Sequence, residues 1–126
     1  MASSSGDGNR VIDWDEAMEQ CGGDEEFLRE LLDDLRGEIN VQVERIGELL
    51  QTRPIDWTKI MRAAHVIKGA AANLMCYQLR LTAQNMERSA SLAGVSESAA
   101  AEVHTGYVEL QSALSAFHQM LESLGI

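Results

Sequence analysis

Residues 103–124 read VHTGYVELQSALSAFHQMLESL. Val103, Tyr107, Leu110, Leu114, Phe117, Leu121 and Leu124 recur at alternating steps of four and three, the spacing of a helix with one apolar seam. Such a seam has to be covered, and the chain upstream supplies the helices to cover it.

SLAGVSES (residues 91–98) breaks the pattern, with Gly94 as the expected C-cap of one helix and Ser96 as the N-cap of the next. The helix before that break starts near Tyr77 and keeps Leu79, Ala83, Met86 and Ala90 on one side. The helix before that is capped by Asp56, with Ile55 and Ile60 placed as a hydrophobic staple, and runs to about residues 73–76. QTRP (residues 51–54) separates it from a longer helix, because Pro54 cannot continue a helix and restrains Arg53. That longer helix is capped by Asp24 and carries Glu25 and Glu26 in its first turn, where negative charge suits the dipole. Leu28, Leu31, Leu32, Leu35, Ile39, Val43, Ile46 and Leu50 form its single stripe. Gly22 and Gly23 end a short first helix that starts at Asp13, with Glu16 three residues on as in a capping box.

No stretch alternates in the manner of a strand. The spacing therefore predicts an all-α fold: an antiparallel up-down four-helix bundle with a short additional N-terminal helix. Residues 11–126 form this domain, and MASSSGDGNR (residues 1–10) reads as a disordered tail rather than a secretory signal.

Composition agrees. With 126 residues, 45% hydrophobic, 5% aromatic and a single proline, the chain is one helical domain with a real core. A net charge of −10 argues against nucleic acid and anionic membrane surfaces as partners. The apolar runs fall far short of the ~20 residues of a membrane span. Cys21 and Cys76 make neither a disulfide framework nor a metal motif, and read as ordinary thiols of a reducing compartment.

The chemistry concentrates in HVIKGAAANL (residues 65–74). At about 100° per residue, Ile60, Ala63, Ala64, Ile67, Ala71 and Leu74 gather on one side, and His65 falls roughly 160° from their centre. It is expected to face solvent beside Met61, Arg62, Lys68, Gly69 and Ala72. Gly69 costs about 1 kcal/mol against alanine in a helix interior, and the neighbouring alanines show that the alternative was at hand. A close approach by another molecule explains such a glycine. A neutral imidazole is a competent nucleophile, and a neighbouring ammonium both disfavours protonation and offsets the charge of an added phosphoryl group. His65 is thus the candidate phosphoacceptor and Lys68 the candidate phosphate-stabilising residue. His104 and His118 lack such neighbours and read as structural or solvated.

At these residues the sequence closely resembles the histidine-containing phosphotransfer (HPt) family of multistep phosphorelays. HVIKGAAANLMCYQL supplies a helical His-x-x-Lys-Gly followed by small residues and a downstream leucine, Leu79. GGDEEFLRELLDDL (residues 22–35) is similar to the start of the family's long second helix. The resemblance spans about residues 13–123. It implies a carrier without kinase or ATP site. A receiver-domain aspartate of a hybrid histidine kinase would hand a phosphoryl group to His65, which would pass it to the receiver of a response regulator.

Receiver domains are the implied partners and would supply Mg²⁺; the carrier itself would need no cofactor or metal. Two departures stand out. Met75 occupies a position where glycine is common, which suggests Asn73 as the left-handed residue of the turn. Glu87 aligns where a glutamine often orients the imidazole, with Gln84 one turn away as a substitute. Met61, Arg62, Gly69, Ala72, Gln84 and Glu87 are therefore the candidate partner-binding residues.

Two other readings compete. A sensor-kinase dimerisation domain would place an acid after the histidine and a proline five residues on, where Val66 and Ala70 stand. A non-catalytic adaptor that binds receiver domains would not need His65. The expectation is a monomeric cytoplasmic protein, small enough to diffuse into a nucleus.

Overall fold

The computed structural model describes residues 10–126. It has five helices: α1 (Trp14–Gln20), α2 (Glu25–Gln51), α3 (Trp57–Asn73), α4 (Tyr77–Leu92) and α5 (Glu97–Ser123). Among the described residues there is no strand, and no helix is long and apolar enough to cross a membrane. Helices α2 to α5 each pack on the next, α5 closes the ring on α2, and α1 lies against α2. This is the four-helix bundle with an added N-terminal helix that the periodicity predicts.

Local chemistry sets the helix starts. The side chains of Asp13, Asp24, Asp56 and Ser96 accept the amides of Glu16, Phe27, Lys59 and Ala99 at 3.1, 3.0, 3.1 and 3.2 Å. Each such cap stabilises its helix by ~1 kcal/mol. The reciprocal half of the expected capping box at α1 does not form. The Asp13 amide donates to the Met75 carbonyl at 2.9 Å, and the Glu16 carboxylate accepts the Tyr77 hydroxyl instead. A tertiary contact has displaced the local one, tying α1 to the α3–α4 turn.

That turn is a Schellman motif. Met75 donates to the Ala72 carbonyl at 3.1 Å and Cys76 to that of Ala71 at 2.9 Å, with Met75 in the left-handed region at φ 59°. Asn73, the expected left-handed residue, is the last residue of α3. Gly94 is not the C-cap itself but the residue after it. The cap of α4 is Ala93 at φ −62°, and Gly94 is absent from the positive-φ residues. The disordered-tail expectation falls on residues 1–9, outside the described residues, and on Arg10. Arg10 is held: its guanidinium pairs with Asp13 at 3.1 Å and its carbonyl accepts the Gln78 amide at 2.7 Å.

The core is the set of stripes read from the sequence, closed around Phe117. Leu28, Leu32, Ile39, Ile46, Ile60, Ile67, Leu79 and Leu110 are buried, and each is worth about 1.5–3 kcal/mol against exposure. On α5 the buried line passes through Gly106 and Ala113, while Tyr107 and Leu114 are only half-buried. Gly106 faces α4, where its Cβ would make ordinary contact with Met86 Cε at 3.8 Å, while Tyr107 lies tight against α2, where a Cβ on Gly47 would collide with its hydroxyl. Cys76 is fully buried, which pushes its thiol up to about 12 and keeps it protonated; Cys21 is half-buried, and both are free.

Candidate functional site

Helix α3 turns one face inward, with Ile60, Ala63, Ala64, Ile67 and Ala71 buried. That leaves residue 65 on the opposite side, and the His65 side chain is 65% exposed. The solvent-facing orientation expected from the helical wheel is the one observed. Met61 and Ala72 beside it are half-buried, and Arg62 and Gly69 are exposed. A Cβ built on Gly69 would meet nothing within 4 Å. Nothing in the fold itself therefore demands a glycine there.

Helix α4 contributes the residue that organises the face. Its Leu79, Ala83, Met86 and Ala90 are buried against the core, which turns the neighbouring Glu87 toward α3. One carboxylate oxygen, Oε2, lies 2.8 Å from His65 Nδ1; the other, Oε1, lies 2.7 Å from Lys68 Nζ. Glu87 thus bridges the two residues of the motif. The Lys68 ammonium, more than any other group, holds the Glu87 carboxyl below its ordinary 4.5; the His65 hydrogen bond adds to this and partial desolvation opposes it.

The chemical consequence concerns the tautomer. A carboxylate accepts hydrogen bonds and does not donate them, so the His65 nitrogen facing it, Nδ1, carries the hydrogen. In the neutral ring the lone pair then resides on Nε2. The site is an oriented, exposed imidazole with its free lone pair at a protein surface, and a cation one turn further on.

The structure brings together His65, Lys68 and Glu87, with Met61, Arg62, Gly69 and Ala72 around them. It does not bring Gln84 to the imidazole: the Gln84 amide oxygen accepts from Arg80 at 3.1 Å. Gln84 is thus not the stand-in orienting residue; Glu87 holds the imidazole itself. The picture of a bare ammonium beside the imidazole also changes, since a carboxylate stands between them. Sequence reasoning missed that bridge, although Glu87 is the lone acidic residue of α4. The other histidines are engaged elsewhere. His104 meets Trp57 edge-on at 6.4 Å between ring centroids, and His118 Nε2 lies 2.9 Å from Asn40 Oδ1.

The family model described as Hpt domain matches residues 30–124, from the first turns of α2 to just past the end of α5. It leaves out α1, and it includes His65, Lys68, Gly69 and Glu87. Neither the curated proteins nor the solved structures yielded a match. The matched stretch covers most of the chain, and the chain belongs to the Hpt domain family, the phosphocarrier modules of two-component signalling.

Proposed function

We propose that the protein is a phosphorelay intermediate. It accepts a phosphoryl group on His65 from the phosphorylated aspartate of a hybrid histidine kinase's receiver domain. It then delivers the group to the receiver domain of a response regulator. The observation that carries this reading is the exposed imidazole whose Nδ1 is held by Glu87 at 2.8 Å.

The step balances without a proton transfer. The Nε2 lone pair attacks phosphorus, the N–P bond forms, and the bond from phosphorus to the aspartyl oxygen breaks with its electron pair. The aspartate leaves as a carboxylate. Nδ1 keeps its hydrogen throughout, so the phosphorylated ring is cationic, and the Glu87 carboxylate stabilises that charge. The Lys68 ammonium offsets the charge of roughly −2 on the phosphoryl group. Delivery to the second receiver is the reverse step on a new aspartate. Mg²⁺ belongs to the receiver, and His65, Lys68 and Glu87 act as carrier residues without a nucleotide. Met61, Arg62, Gly69 and Ala72 form the floor on which a receiver settles.

The test is transfer from a phosphorylated receiver, read as acid-labile, base-stable phosphate on the protein. Wild type is expected to be labelled and His65→Gln to remain folded and unlabelled. Label persisting in His65→Gln would refute the site. Receiver binding without any transfer in wild type would make the protein an adaptor.

A further inference from the structure

We infer that the cleft between α2 and α3 lined by Arg45, Lys59 and Arg62 is the docking edge for the acidic rim of the domain that carries the aspartyl phosphate. That domain would then sit on the α2 side of His65 rather than over α4. The inference rests on the phosphocarrier reading of His65 and adds where the partner lies and what holds it there.

Charge is the first ground. In a chain of net charge −10, cations are scarce, with ten Lys and Arg against twenty Asp and Glu. Arg10, Arg29, Arg36 and Lys68 each pair with a carboxylate. Arg45, Lys59 and Arg62 are exposed and in no ion pair among the described residues. Yet α2 and α3 bring all three to one shallow cleft of about 210 Å³, floored by Gln42, Ala63 and Val66. Like charges placed together repel, and Lys59 stands in the first turn of α3, where the helix dipole disfavours a cation. The first turns of α1, α2 and α5 carry acids instead. Asp56 at the α3 N-cap accepts the Lys59 amide and pairs with none of the three side chains, so an anionic partner offsets the repulsion left among them.

Position is the second ground. Arg62 lies one turn before His65, and Val66 directly follows it; both share the cleft with α2 residues. Lys68 turns the other way, to Glu87 on α4, where the two charges cancel. The unpaired cation nearest His65 along α3, Arg62, therefore faces α2. Val66, 41% exposed, adds an apolar contact there.

The partner's own chemistry is the third ground. An aspartyl phosphate brings roughly −2 charge toward a strongly acidic protein, and long-range repulsion slows such an encounter. A local positive strip beside the nucleophile reverses the field where it matters, acting on the association rate and weakening with salt.

The test compares Arg45→Glu/Lys59→Glu with Arg88→Glu, an exposed cation on α4 outside the site. His65 is phosphorylated in one arm by phosphoramidate, which needs no docking surface. In the other arm the donor is a phosphorylated receiver that transfers to wild type, at a series of salt concentrations. The double variant is expected to lose roughly tenfold in kcat/KM with the receiver at low salt, with the gap closing as salt rises. Its phosphoramidate labelling and circular dichroism are expected to match wild type, and Arg88→Glu to transfer normally. Normal receiver transfer by the double variant overturns the docking edge, as does an equal loss in Arg88→Glu, which would be a net-charge effect. If the double variant fails to fold, the neutral singles Arg45→Gln and Lys59→Gln carry the same comparison. Wild type that binds duplex DNA through Arg45 while receiver transfer ignores that residue would also overturn it. Absence of phosphoramidate labelling in wild type would instead refute the carrier reading beneath it.

Discussion

Replacing Glu87 by alanine removes both contacts that organise the His65 imidazole, the 2.8 Å bond to its Nδ1 and the 2.7 Å pair with Lys68. A hydrogen bond to a charged group contributes about 1.5–3 kcal/mol. Here Glu87 is 23% exposed and His65 65% exposed, so solvent screens the interaction, and about 1–2 kcal/mol is the reasonable share. At 1.4 kcal/mol per factor of ten, acceptance of a phosphoryl group by Glu87→Ala should slow roughly 5- to 30-fold. Glu87→Gln keeps an oxygen that accepts from Nδ1–H and should recover most of that rate. The assay is single-turnover transfer from a phosphorylated receiver, paired with imidazole ¹⁵N shifts that report the tautomer. Wild type and Glu87→Gln should hold the hydrogen on Nδ1, and Glu87→Ala should show a mixture. Wild-type transfer by Glu87→Ala with the tautomer unchanged would refute the orienting role. A glutamine variant no better than alanine would show that only the charge matters.

Because the Glu87 carboxyl is held below its ordinary 4.5, the stability it contributes is fully present above that value and is lost as pH falls through its folded-state value. The difference in melting temperature between wild type and Glu87→Gln should therefore shrink on acidification below about pH 4.5, and a difference that grows there would contradict the ion pair. Gly69→Ala should stabilise the bundle by up to ~1 kcal/mol, since its Cβ meets nothing. Gly47→Ala should lose that gain because Tyr107 must move, its Cζ lying 3.2 Å from the new Cβ; equal gains in thermal unfolding would refute this packing. Gly69→Leu should fold normally, accept from phosphoramidate at nearly the wild-type rate and accept poorly from a receiver. Unimpaired receiver transfer would make the glycine an incidental helix defect. Lys68→Ala should slow transfer or shorten the phosphohistidine lifetime by an amount worth about 1–3 kcal/mol, and unchanged kinetics would leave the lysine as a partner of Glu87 alone.

Helix periods, caps and breaks act within a few residues, so Asp24, Asp56, Ser96 and the stripes of α2 to α5 were legible in the chain itself. The outward orientation of His65 followed for the same reason, since a stripe that must be buried leaves its opposite side in solvent. What the tertiary structure decided involves residues distant in sequence. Glu16 turned from its own helix cap to Tyr77, and Met75 took the left-handed position expected of Asn73, because the α3–α4 turn answers to α1 as well as to itself. The buried line on α5 runs through Gly106 and Ala113 rather than Tyr107 and Leu114, a rotation set by the packing of neighbouring helices that the period alone does not encode. The pairing of Glu87 with both His65 and Lys68 depends on the rotation of α4 against α3, set by Ala83, Met86 and Ala90 packing inward. Arg45 and Lys59 share a cleft for the same kind of reason. Spacing along a helix fixes which face a residue occupies, but only the packing of one helix on another fixes which charge stands across from it.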